Sequence, residues 1–150
     1  MSDTLTTNQP SELEVANAQK VIGYLAEIDD VSYKTTDRAD IFTVSNIDFG
    51  VECTIDVEES IVCIFVEVCA VPEASDERNK LNELLMGLND QAVHGKFTVN
   101  EGKVFFRDNL EIENLDKNEL QASLTWVFGM VGGNIEDISN IIEQDTVKLP

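Results

Sequence analysis

Residues 49–71 read Phe49-Gly50-Val51-Glu52-Cys53-Thr54-Ile55-Asp56-Val57-Glu58-Glu59-Ser60-Ile61-Val62-Cys63-Ile64-Phe65-Val66-Glu67-Val68-Cys69-Ala70-Val71, and they decide the fold. In the first half, Phe49, Val51, Cys53, Ile55 and Val57 alternate with Gly50, Glu52, Thr54, Asp56 and Glu58. A period of two is a strand with one face packed and the other in water. The linker Glu58-Glu59-Ser60 is too short for a parallel crossover, so the strand that follows must pair antiparallel. That second strand, Ile61 to Val71, is apolar at nearly every position except Glu67. Such a run predicts a central strand covered on both faces over part of its length. Pro72 ends it.

Working outward, Val31 to Thr35 and Ile41 to Ile47 are short, β-branched and aromatic, and predict two more strands. Ahead of them, Ser11 and Glu14 form a capping box that opens a helix carrying Leu13, Val21, Leu25 and Ile28, expected to run to about Ile28. Beyond Pro72, a helix capped by Ser75 presents Leu81, Leu84, Leu85 and Leu88 on one stripe and closes at Asn89-Asp90. Lys96 to Asn100 and Lys103 to Arg107 then form a hairpin around Glu101-Gly102. Asp116 caps a last helix with Leu120, Leu124, Val127 and Val131 on one face, weakened or broken at Gly132-Gly133 before Ile135, Ile138, Ile141 and Ile142. The order is helix, four strands, helix, two strands, helix. It predicts an α+β domain over residues 11–150, an antiparallel sheet with helices packed on it, after a disordered tail at residues 1–10.

The composition narrows the function. The chain has 150 residues, is 43% hydrophobic and carries 29 Asp and Glu against 10 Lys and Arg, a formal charge of −19. That field repels phosphate backbones and anionic headgroups, so neither nucleic acid nor membrane is an expected partner. The polar start of the chain does not read as a signal peptide, and no run is long and apolar enough to span a bilayer, which predicts a cytoplasmic protein. Cys53, Cys63 and Cys69 are odd in number and lack zinc spacing, so they read as small buried hydrophobes. His94, the single histidine, has no orienting carboxylate or nucleophile placed by the sequence and reads as a boundary residue. The acidic run from Asp108 to Asp116 is broken by Leu110, Ile112 and Leu115, which fits a strand edge leading into a capped helix better than a calcium loop. Gly129, Gly132 and Gly133 lie in an apolar segment without a lysine and cannot cradle phosphate. No catalytic residue, cofactor or metal ligand is expected, and the chain is not read as an enzyme.

The stretch Leu81-Asn82-Glu83-Leu84-Leu85-Met86-Gly87-Leu88-Asn89, followed by Gly95-Lys96-Phe97-Thr98-Val99, Gly102-Lys103-Val104-Phe105-Phe106, Leu110 and the capped last helix, resembles the bacterial YbjN-type family within the type III secretion chaperone-like fold. Residues 50–138 also resemble the small YjfI-type family. The resemblance implies a binding module without catalytic residues: secretion chaperones dimerise and wrap an unfolded client segment, and YbjN-type proteins are associated with regulation through protein contacts. The glycine pair at 132–133 departs from the uninterrupted last helix of that pattern.

The expected function is therefore a non-enzymatic, chaperone-like or regulatory protein-binding module. The alternative is a small-molecule sensor with an apolar pocket between sheet and helices. A second stripe on the last helix, Trp126, Gly129, Met130 and Gly133, lies well round from the first, and a helix apolar on two faces calls for a second cover. Tryptophan is a good anchor and glycine allows close approach, which makes this stripe the expected homodimer interface or client groove.

Overall fold

The structure is a computed structural model that describes residues 9–147, so residues 1–8 of the expected tail lie outside the described residues. Its elements are α1 (Glu12–Leu25), β1 (Val31–Thr35), β2 (Ile41–Asn46), β3 (Val51–Val57), β4 (Ile61–Ala70), α2 (Ser75–Gln91), β5 (Lys96–Asn100), β6 (Lys103–Glu111), α3 (Lys117–Gly132) and α4 (Ile135–Val147). The strands form a 6-stranded sheet in the order β1-β2-β3-β4-β6-β5, every pair antiparallel. The chain leaves the sheet after β4, runs through α2, and returns by the outer strand β5 before β6 fills the place beside β4. The Glu101-Gly102 turn has φ of 52° and 77°, which suits the twist of a two-residue hairpin.

Local chemistry sets the helix ends. The α1 capping box is present: the Glu14 amide donates to Ser11 Oγ at 3.1 Å and the Ser11 amide donates to Glu14 Oε1 at 2.7 Å. Asp116 caps α3 by accepting from the Glu119 amide at 2.8 Å. At α2 the cap is Ala74, without a side-chain bond, and Ser75 is the first helical residue. The last helix does break. Phe49 packs over Gly132 so closely that a Cβ there would stand 2.7 Å from the ring, and Asn134 Nδ2 donates to the Met130 carbonyl at 2.8 Å, satisfying an orphan acceptor at the end of α3.

Strand parity shows where the core sits. Phe42, Val44, Cys53, Ile55, Val57, Val62, Ile64, Phe97, Val104 and Phe106 are buried, and the registers place all of them on one face. Over that inner face lies α3, against β3, β4 and β6, through the stripe Leu120, Leu124, Val127 and Val131 read from the sequence. Helix α1 lies beside it over β3 and β1, and α2 runs along β5 and packs on α4. Asn17 ties α1 to the β3–β4 turn, its Nδ2 donating to the carbonyls of Glu58 and Glu59 at 3.1 and 3.0 Å. Asn17→Ala leaves both acceptors without that partner at a largely buried site and is expected to lower stability by about 2 kcal/mol, read from the urea midpoint at constant slope. An unchanged midpoint would mean that water replaces the amide without loss.

Near the β1–β2 turn, Asp40 is 2% exposed and accepts from Arg38 Nε and Nη2, both at 2.9 Å. That hydrogen-bonded guanidinium holds the Asp40 carboxyl below its ordinary value of 3.8 against the opposing effect of burial. A lowered acid contributes stability above its unfolded value that is lost as pH falls through the folded one. The melting temperature is therefore expected to fall below about pH 4, with a shallower fall in Asp40→Asn. Identical acid profiles for the two proteins would remove Asp40 from that transition.

Candidate protein-binding surface

Among the described residues, no helix lies on the other face of the sheet. None of its residues, from Thr43 and Thr54 through Phe65 to Phe105, Arg107 and Thr98, is fully buried. The sequence expectation that β4 is covered on both sides is thus met on the inner side alone. The three helix-bearing segments are all spent on one face, and Ile61, Cys63 and Phe65 look outward.

At the centre of this outer face, the pairings Phe65↔Arg107 and Thr98↔Phe105 bring three strands together. The Phe65 and Phe105 rings meet edge-on, with centroids 6.3 Å apart at 71°. Arg107 lies over both, its Cζ 5.6 Å from the Phe65 centroid and 5.1 Å from that of Phe105. Its Nε donates to Thr98 Oγ1 at 3.3 Å. The two aromatic faces and the hydroxyl fix the plane of the guanidinium while leaving its Nη groups without a partner among the described residues. Lys96 stands directly opposite Arg107 across β5–β6, and Lys103 pairs with Glu67 at 3.4 Å at the far end. Cys63, on the same face, bonds Glu58 Oε2 at 3.2 Å, and burial pushes its thiol up to about 12, which makes it a poor nucleophile. Cys53 points to the inner face and is likewise raised to about 12 by burial.

The stripe expected from the sequence is placed differently along its length. Trp126 is half-buried, with its ring 6.4 Å from the ring of His94 at 63°, so the loop before β5 covers part of it. Met130 is 9% exposed, Gly129 faces open space, and Gly133 stands exposed at the end of α3. Asp108, read from the sequence as part of a solvated acidic edge, instead turns inward and accepts from Ser123 Oγ at 2.6 Å. A cleft of about 420 Å³ lies between α2 and β5, lined by Leu85, Met86, Phe97 and Val99 among others. Asn89 closes its end by bonding both the amide and the carbonyl of Phe97, at 2.7 and 3.1 Å. Among the described residues no cluster of His, Cys, Asp and Glu is arranged to hold a metal ion, and no helix is long and apolar enough to cross a membrane.

One sequence signal marks the outer-face cluster. Reading the alternation of β6 on to Glu111 separates Val104, Phe106 and Leu110 from Phe105, Arg107, Asn109 and Glu111. The second set is an outward face with an aromatic and a cation at its centre.

An antiparallel sheet bearing helices on one side, in this order of elements, defines a type III secretion chaperone-like α+β fold. The chain belongs to the CesT_Tir_1 family, the type III secretion chaperone family, whose model matches residues 14–129. Among solved structures it is similar to an uncharacterized protein from Methanothermobacter thermautotrophicus, with a TM-score of 0.59 and 13% identity over 85% of this chain and 98% of that one. It is equally similar to YbjN from E. coli, with a TM-score of 0.59 and 11% identity over 85% and 92% of the two chains. The heterodimeric ExoU-SpcU complex of the Pseudomonas aeruginosa type III secretion system follows at 0.48 and 12%, over 77% and 85%. No curated protein matches the sequence.

Proposed function

We propose that this chain is a non-enzymatic, cytoplasmic protein-binding module, chaperone-like in action, which holds a segment of a client protein on the outer face of its sheet. Membership of a chaperone family supports a protein partner. The observation that carries the reading is the half-buried cluster of Phe65, Phe105 and Arg107 on a face that no helix among the described residues covers. Aromatic and arginine side chains at the centre of a patch are the residues that dominate binding energy once water is excluded. The test takes a partner recovered with the wild-type chain, remakes it as pure protein and titrates it by calorimetry. Phe105→Asp is expected to weaken binding by about tenfold or more while the melting temperature falls by only a few degrees and the fold is retained. Equal affinity for the two proteins contradicts the reading.

Two observations support other sites for the same fold. Half-exposed Trp126 beside the open space at Gly129 supports a homodimer or client groove on the stripe Trp126, Gly129, Met130 and Gly133. Sedimentation of Trp126→Glu tests it, since a wild-type monomer at micromolar concentration contradicts the dimer. The apolar cleft beside α2 supports a small-molecule sensor. A rise of several degrees in melting temperature with a metabolite would favour that alternative.

A further inference from the structure

We infer that the segment held on the outer face carries a carboxylate, which Arg107 and Lys96 grip beside the apolar contacts of Phe65 and Phe105. The inference rests on the reading of that face as the client site and names the chemistry it selects.

The first ground is an arrangement that is unfavourable as it stands. Lys96 and Arg107 are directly opposite on neighbouring strands and project from the same face, and like charges so placed repel. An anion between them turns that repulsion into attraction for both. The second ground is the preparation of the guanidinium. Its two ring contacts and the Thr98 bond hold its orientation, and its Nη groups bond no described residue. A planar donor fork that is fixed and unoccupied suits a carboxylate, which accepts two parallel hydrogen bonds. The third ground is the local charge. Lys96 and Arg107 stand side by side in a chain with only 10 Lys and Arg, and of the acids on this face Glu67 is paired with Lys103 and Glu58 is bonded by Cys63.

The formal charge of −19 acts against any acidic partner. At physiological ionic strength, however, the screening length is about 8 Å, so charges on the far helices contribute little at Arg107. The neighbours across β4, β5 and β6 set the potential there. In an extended segment, an acidic side chain with apolar ones two positions away presents all three on one face, the carboxylate toward the guanidinium and one apolar neighbour toward the ring pair.

The probe is the blocked peptide Gly-Leu-Ser-Glu-Ser-Leu-Gly with its Gln and Lys counterparts at the central position, titrated into the isotopically labelled full chain and followed by amide chemical shifts. The Glu peptide is expected to move the resonances of Phe65, Thr98 and Arg107 and to bind at least fivefold tighter than the Gln peptide. Arg107→Gln is expected to abolish that preference with the fold retained, as judged by unchanged shifts on the inner face. If all three peptides move the same residues with equal affinity, or the Lys peptide binds best, the carboxylate inference fails while the client face stands. If none of them moves these residues, both fail.

Discussion

Gly95→Ala is expected to destabilise the chain by about 3 kcal/mol, lowering the melting temperature on the order of 10 °C. Two effects add. Gly95 has φ of 77°, where an L side chain is strained. A Cβ there would also lie 2.6 Å from Cε2 and 2.8 Å from Cζ of Phe106, and 3.1 Å from the Arg107 carbonyl. Phe106 is fully buried and packs edge-on against Phe97 at 4.9 Å, so its ring has nowhere to move. Trimming the ring separates the two contributions. In a Phe106→Leu background the same Gly95→Ala change should cost less, because the steric part is relieved and the backbone part remains. Equal costs in both backgrounds would mean that the ring is not what excludes the methyl group.

The second large effect is a contrast between neighbours in sequence. Phe106→Ala is expected to cost about 3–5 kcal/mol, as removal of a fully buried aromatic leaves a cavity. Phe105→Ala, one residue earlier on the outer face, is expected to cost about 1 kcal/mol, the worth of its aromatic contacts. Urea denaturation with a common slope measures both. Similar costs for the two would mean that the outer face is packed as tightly as the inner, and the uncovered surface would not exist.

The sequence carried the element order, the antiparallel pairing across Glu58-Glu59-Ser60 and the inward stripe of the last helix, because alternation and short linkers constrain these locally. It did not carry which side of the sheet the helices take. The run from Ile61 to Val71 is apolar on both faces and so looks covered twice, but Ile61, Cys63 and Phe65 face outward. Its register also shifts between Glu67 and Cys69, where a bulge returns Cys69 to the row of Val104, and no residue pattern announces that shift. The links made by Asn17 and Asn89 join residues far apart or across a loop to backbone groups, and a side-chain amide that bonds backbone leaves no trace in hydropathy. The stripe at Trp126 was legible as a second apolar face, whereas the contribution of His94 to its cover depends on how the α2–β5 loop folds back.

The central claim is that a client lies on the outer face, over Phe65, Phe105 and Arg107. The most direct measurement replaces Phe105, and separately Trp126, with a photoreactive phenylalanine analogue, irradiates the protein together with its purified partner, and maps the cross-linked peptides by mass spectrometry. Position 105 is expected to give cross-links confined to one acidic segment of the partner, with none from position 126. Cross-links from position 126 and none from position 105 would contradict the account.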